Sequence, residues 1–268
     1  MIPLSHNHLK ILKKLRLKKY REREGLFMAE GLNACEEALR SGRYPVREII
    51  VSSDFLERVE NKELSRRIPD DITVYSCSRH AMEELSTEEA PRGIILVCGT
   101  TTRSLNELER TQPDRLLYLE GVADPGNLGT IMRTALWFGT RHLLLGPSCA
   151  DPFNPKVVRA SAGALFDASL YRSVPPDVLV SFARNEGYKL AATAPRGNMP
   201  VDKWRQEGRY ILLLGGEARG LSSELLKMAD ATLFIPGYGA AESLNVAAAA
   251  AITLYELCRS DRKKTLHR

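Results

Sequence analysis

The 268-residue chain has no apolar run near the roughly 18–20 residues that cross a bilayer, so a membrane-spanning helix is not expected. Its start, "MIPLSHNHLKILKKLRLKK", turns basic where a secretory leader would carry its apolar stretch, and a cytoplasmic location is the expectation. Cysteine is sparse: Cys35, Cys77, Cys98, Cys149 and Cys258 form no Cys-x-x-Cys pair. An odd, scattered set points to reduced thiols. The five histidines make no His-x-x-x-His pair, so no metal site is expected. There is no Gly-Lys-Ser/Thr ending of a P-loop and no Gly-x-Gly-x-x-Gly run after a strand, which disfavours nucleoside triphosphates. Hydrophobic residues make up 44% and charged residues 26%, ordinary globular values that set aside disordered, collagen-like and coiled-coil classes. The net charge of +5 permits a polyanionic partner without requiring one.

What is present is organised in two parts. Lys10 to Arg23 holds eight lysines and arginines. Leu9, Ile11, Leu12, Leu15 and Leu17 are interleaved, mostly at helical spacing. The spacing predicts one helix with a packing face and a cationic stripe suited to phosphates; a solvated helix end is the plainer alternative. A helix is expected from Gly31 to Arg40, and strands at "VREIIVSS", "ITVYSCS" and "GIILVCG". That is a small α/β unit over residues 1–100. Residues 101–113, "TTRSLNELERTQP", read as a polar linker with at most one helical turn. From 114 to 268 strands and helices alternate: "RLLYLEGV", "GTIMRTALWFG", "HLLLGP", "PKVVRASAGAL", "KLAATAP", "RYILLLGGE", "SELLKMA", "ATLFIPG" and "NVAAAAAITLYELCRS". The order predicts a mainly parallel sheet covered on both faces.

In such sheets ligands sit beyond the carboxyl ends of the strands, and three strand-end loops stand out. In "EGVADPGNLGTIMRTALWFG", Pro125, Gly126 and Gly129 tighten the turn around Asn127, and Arg133 follows one turn into the helix. In "LLLGGEARGLSSE", Gly215 and Gly216 are expected to let the backbone approach a ligand, with Glu217 directly after. A carboxylate there would repel a pyrophosphate and suits hydroxyls or positive charge. Ser222 or Ser223 then serves as a helix N-cap. In "IPGYGAAESLNVAAAAAITLYE", Ser243 and Asn245 stand at the mouth of an alanine-rich helix, where Ser243 fits an N-cap. Small residues on all faces predict that this helix is tightly packed.

These three loops, in this order, closely resemble the successive motifs of the SpoU/TrmH-type RNA 2′-O-ribose methyltransferases of the SPOUT class. "PKVVRASAGALF", Pro155 to Phe166, matches a fourth stretch between the first two. The resemblance spans Leu116 to Glu256. More softly, the N-terminal segment is similar to the RNA-binding domain preceding the catalytic domain in many members. It implies an α/β protein with a C-terminal trefoil-knot domain and a smaller ribosomal-protein-like α/β domain before it. It further implies S-adenosylmethionine as cofactor, transfer of its methyl to a ribose 2′-hydroxyl of tRNA or rRNA, and a homodimer through the C-terminal domain. Carried over, the catalytic set is Asn127, Arg133, Glu217, Ser243 and Asn245. The cofactor would be lined by Leu214, Gly215, Gly216, Ile235, Pro236 and Leu244, and RNA held by Lys13, Lys14, Lys18, Lys19 and Arg159. The family assigns the arginine an activating role; an arginine stays protonated, so we read Arg133 as a phosphate and oxyanion holder. Two positions depart from the pattern: Ala247 stands where many members carry serine, and "GYGAAE" replaces a commoner methionine-containing loop. A non-catalytic RNA-binding or ribosome-assembly protein that kept the fold is the alternative, and an α/β enzyme acting without RNA is a more distant one.

Overall fold

A computed structural model describes residues 1–55, 66–205 and 208–265. In chain order its elements begin with β1 (Ile2–Pro3), α1 (His6–Lys14), α2 (Lys18–Glu24), β2 (Leu26–Glu30), α3 (Leu32–Ser41), β3 (Val46–Ser52), β4 (Thr73–Cys77), α4 (Arg79–Leu85) and β5 (Ile94–Gly99). They continue with α5 (Leu105–Thr111), β6 (Arg115–Glu120), α6 (Pro125–Trp137), β7 (His142–Leu145), α7 (Pro155–Ala160), β8 (Ser169–Tyr171) and α8 (Pro176–Asn185). The last are β9 (Lys189–Thr193), β10 (Met199–Pro200), β11 (Tyr210–Gly215), α9 (Ser223–Met228), β12 (Ala231–Phe234) and α10 (Val246–Thr265).

The chain divides into two compact units. The first contains Met1–Thr101 and takes in Asp151–Asp167, which the sequence order assigns to the later part. Its five strands run β1-β4-β3-β5-β2, with β5 antiparallel to both neighbours and the rest parallel. Phe27 stacks near Phe153 and Phe166 at ring-centroid distances of 4.8 and 6.1 Å, with Tyr44 edge-on to all three. These buried rings explain why the 151–167 segment, rich in apolar side chains, folds into this unit.

The single basic helix expected over Lys10–Arg23 is instead two. Leu15 closes α1 and Leu17 is extended (φ −96°, ψ 129°) ahead of α2. The break is organised by Arg21, whose Nη1 donates to the carbonyls of Leu15 (2.9 Å) and Arg16 (2.8 Å). Its Nε and Nη2 reach Asp151 Oδ2 at 2.9 and 2.6 Å. Both partners are almost fully buried. A continuous helix would leave those carbonyls bonded within itself and the guanidinium short of donors' targets, and an unpaired buried charge costs about 3–5 kcal/mol. Leu9, Leu12 and Leu15 form the packing face, while Ile11 and Leu17 are exposed.

The second unit holds a seven-stranded sheet in the order β10-β12-β9-β11-β6-β7-β8, every pairing parallel. "LLYL" of β6 and "ILLL" of β11 are buried throughout, as strands covered on both faces must be. The stretch expected to be linker contains α5, seven residues with a capping box between Ser104 and Glu107. Three further elements were not anticipated here: the two-residue β10, β8, only three residues long, and α8, whose two leading prolines conceal an amphipathic run. Among the described residues no helix is long and apolar enough to cross a membrane.

Candidate active site

Because the whole second sheet is parallel, the loops after β6, β11 and β12 leave it on one side. The loop after β6 turns into α6 through Asp124, whose carboxylate caps the helix by accepting from Asn127 N at 2.8 Å, with Pro125 in the first turn. Capping fixes Asn127 half-buried at the mouth of α6. Its Nδ2 donates to Glu217 Oε1, in the loop after β11. Its Oδ1 accepts from Asn245 Nδ2 at 3.1 Å, in the loop after β12. Asn245 Oδ1 in turn accepts from Ala247 N (2.9 Å) and Ala248 N (3.3 Å), the first amides of α10.

All these hydrogen bonds run in one direction. Donors point from the positive N-terminus of α10, through two carboxamides, to a carboxylate. The three loops are thereby joined by Asn127, Glu217 and Asn245, three of the five side chains expected to be catalytic. No such bond draws in the other two. Arg133 lies on the exposed stripe of α6 that also carries Thr130 and Trp137, and makes no hydrogen bond or ion pair among the described residues. Ser243 is exposed and caps nothing; the N-cap expected of it belongs to Asn245, whose side chain is two residues nearer the helix and reaches two amides.

The glycines of the second loop do something other than expected. A side chain on Gly215 would stand 2.1 Å from Gly220 C, and one on Gly216 would stand 2.1 Å from Gly121 O. The space they leave is taken by the chain's own backbone, not held open for a ligand. Gly216 N donates to Glu120 O at 2.8 Å, and Gly220 N to Gly216 O at 2.8 Å, so the loop folds back on the strand ends. Glu120 was not singled out by the sequence, yet its carboxylate accepts from Ser222 N at 2.6 Å and fixes the start of α9, which Ser222 caps. An acid closing an otherwise apolar strand was the available signal. Leu214 is 1% exposed, so only its backbone is offered, whereas Ile235 is half-buried and Pro236 and Leu244 are exposed.

Cys149, beside the end of β7, donates to Leu119 O at 3.2 Å, and burial pushes its thiol up. A raised thiol favours the protonated form over the nucleophilic thiolate. Among the described residues no group of three His, Cys, Asp or Glu side chains is placed to hold a metal.

In the first unit the expected cations are unequal. Lys13 is tied to Glu84 at 2.7 Å and holds that carboxyl below its usual range. Lys14 and Lys19 lie 5.5 and 5.0 Å from the centre of the Tyr20 ring, joined there by Arg23 at 4.8 Å. Lys18 faces Glu22 at 3.7 Å. Arg159 Nη1 donates to Thr87 O at 3.1 Å and is otherwise exposed.

Comparison with known proteins gives matches along nearly the whole chain. The family model of the SpoU rRNA Methylase family matches residues 114–255, and that of the MRM3-like substrate binding domain matches residues 6–96. The chain is 36% identical over 249 residues to the 23S rRNA (guanosine(2553)-2′-O)-methyltransferase RlmP of Bacillus subtilis, covering 91% of this chain and 93% of that protein. It is 28% identical over 244 residues to the 23S rRNA (uridine(2479)-2′-O)-methyltransferase of Streptomyces viridochromogenes, covering 89% and 84%. Among solved structures, the SpoU methyltransferase AviRb from Streptomyces viridochromogenes in complex with the cofactor AdoMet superposes with a TM-score of 0.84 at 28% identity, covering 96% of this chain and 98% of that one.

Proposed function

Because the chain belongs to the SpoU rRNA methylase family, whose members transfer methyl from S-adenosylmethionine to an RNA ribose 2′-hydroxyl, we propose that its substrate is large-subunit ribosomal RNA and that the Asn127–Glu217–Asn245 cluster is the centre of its active site. The fold is the SPOUT-type α/β fold with an N-terminal substrate-binding domain, and the activity is RNA 2′-O-ribose methylation. The near-full-length likeness to a methyltransferase of 23S rRNA supports ribosomal RNA over tRNA. The observation that carries the site is the hydrogen-bonded joining of three loops by side chains far apart in sequence. A cytoplasmic location is part of the same proposal.

The residues present fit the cofactor. From Ile235 to Leu244, among the described residues, no backbone group makes a backbone–backbone hydrogen bond. Gly237 and Gly239 have open space where a side chain would stand. Free N–H and C=O groups beside Ile235 and Leu244 suit a flat, uncharged adenosyl group. Bound there, S-adenosylmethionine would supply a methyl on a positively charged sulfur. The protein's own task is then to position a ribose hydroxyl and ease the loss of its proton. Glu217, with one carboxylate oxygen held by Asn127, keeps the other to accept from a hydroxyl. Asn127 and Asn245 hold that carboxylate still, and Arg133, without a hydrogen-bond or ion-pair partner among the described residues, is available for an RNA phosphate.

RNA affinity is assigned to the first unit. Replacing Lys14, Lys18 and Lys19 together by glutamine is expected to weaken RNA binding and flatten its salt dependence by about two to three in slope of log K against log salt. Adding Lys13→Gln is expected to change little, since Lys13 is occupied by Glu84. Filter binding at several salt concentrations measures this; an unaltered slope would remove the helices α1 and α2 from the RNA contact.

We also propose a homodimer through α6 and α10. Trp137 is 84% exposed on α6, Ile252 and Tyr255 are exposed on α10, and Tyr255 lies edge-on to Phe138 at 6.2 Å. The helix α10, expected to be tightly packed, keeps one apolar face uncovered, the kind of patch that another protein surface covers. The double variant Trp137→Asp, Tyr255→Asp is expected to sediment as a monomer and the parent as a dimer; a monomeric parent would end the proposal.

The substrate assignment is tested by mapping 2′-O-methylation across total RNA from cells with and without the protein. Loss of one mark in large-subunit rRNA is expected. Loss of a mark only in tRNA would overturn it.

A further inference from the structure

In the first unit a groove of about 530 Å³ opens beside Gly31, within the roughly 300–1,000 Å³ range of small-molecule sites. Its polar lining includes Asn33, Glu88, Arg92 and Arg159, and Leu32 and Ala90 add apolar surface. Only Arg159 was singled out by the sequence.

The two carboxylates of the groove are in different states. Glu30 is fully used: it accepts from Ser86 Oγ at 2.7 Å, from Thr87 N at 3.0 Å and from the Thr87 hydroxyl. Glu88 is half-buried, and its carboxylate makes no hydrogen bond among the described residues. Burial, followed by the nearby Glu30, pushes Glu88 up, while Arg159 and Arg92 pull it down. Such a carboxylate gains most from a neutral ligand that brings N–H donors. Arg92 is exposed and makes no hydrogen bond or ion pair among the described residues. Arg159 has used one nitrogen of its fork, on Thr87 O.

A free carboxylate and a free guanidinium on one groove match a specific nucleobase. Guanine carries two adjacent donors, N1–H and the N2 amine, which a carboxylate takes together, and two adjacent acceptors, O6 and N7, which an arginine fork takes together. Adenine lacks both pairs, and cytosine lacks the two adjacent donors. RNA is read by sequence where bases are unpaired and their edges free.

We propose that this groove is a subsite for an unpaired guanine of the substrate RNA, with Glu88 on its donor edge, Arg92 on its acceptor edge and Arg159 on its phosphate. It rests on the chain acting on RNA. All its lining residues belong to the first unit, and none is a member of the Asn127–Glu217–Asn245 cluster.

The test uses the full chain with S-adenosylhomocysteine at saturation, so that the cofactor site is filled. GMP, AMP, CMP and inorganic phosphate are titrated as probes and followed by saturation-transfer NMR. GMP is expected to bind about tenfold more tightly than AMP or CMP. Glu88→Gln is expected to erase that preference, and Arg92→Ala to weaken GMP by about tenfold. Equal binding of all three nucleotides and phosphate, a guanine preference that survives Glu88→Gln, or no nucleotide binding would each overturn the subsite. Binding of S-adenosylhomocysteine itself, measured on the same samples with melting curves for each variant, reports separately on the methyltransferase site.

Discussion

Gly216→Ala is expected to abolish S-adenosylmethionine binding and methyl transfer together and to lower the melting temperature by roughly 5–10 °C. The added methyl would stand 2.1 Å from Gly121 O and 2.6 Å from Gly121 C, both backbone atoms at the end of β6. Neither can rotate away as a side chain would. Relief requires β6 and β11 to part at Leu119–Leu214 and Glu120–Gly215, where they are in register. That movement takes Glu217 off Asn127 and Glu120 off Ser222, so both contacts that fix the loop after β11 go at once. Gly237→Ala is the control. Nothing lies within 4 Å of its added methyl, so its melting temperature is expected to stay within about 1 °C of the parent. Calorimetry with S-adenosylmethionine and thermal denaturation of the two variants check both statements; a Gly216→Ala protein with parental affinity would show that the backbone crossing there is not needed.

Arg133→Ala is expected to lower kcat by roughly 100- to 1,000-fold, the range found when one oriented donor to a developing charge is removed. Cofactor affinity is expected to stay within about twofold, because Arg133 belongs to α6 and not to the loop Ile235–Leu244. The guanidinium is exposed and makes no hydrogen bond or ion pair among the described residues, so its removal costs little fold stability, and its worth must be realised on a ligand. Arg133→Lys keeps the charge and loses the planar fork, and is expected to fall between parent and alanine variant. Single-turnover rates on RNA measure the series. An alanine variant with parental kcat would end the role given to Arg133.

Much of the second unit could be read from its residues because its strands are continuous apolar runs bounded by Gly and Pro, a signal that is local. "RLLYLE" and "YILLLG" became β6 and β11 with their register side by side. Elements whose signal is not local were missed. β2, "LFMAE", is only five residues between Gly25 and Gly31 and owes its place to antiparallel pairing with β5, some seventy positions later. Arg21 reads as one cation among eight, and only the arrival of Asp151 makes it a buried linchpin that splits the basic stretch into α1 and α2.

The site divides along the same line. Asn127, Glu217 and Asn245 were legible because the motif order carries them, yet the direction of their hydrogen bonds comes only from folding. Gly215 and Gly216 were correctly seen as positions that need small residues, but for the wrong neighbour: sequence gives the requirement for space and not what fills it. Ser243 illustrates a related failure. Serine and asparagine cap helices equally well, and with both present two residues apart nothing local decides between them. The groove at Glu88 and Arg92 had no sequence signal, since its five polar side chains come from three separate segments.

Hydrogen–deuterium exchange of the full chain with and without S-adenosylmethionine tests the central claim most directly. Protection is expected at 217–219 and across 235–244, where amides without backbone partners would acquire them, and in the first turn of α10, which would tighten. Exchange unaltered in both loops, or protection confined to the first unit, would contradict a single cofactor site built from the three strand ends.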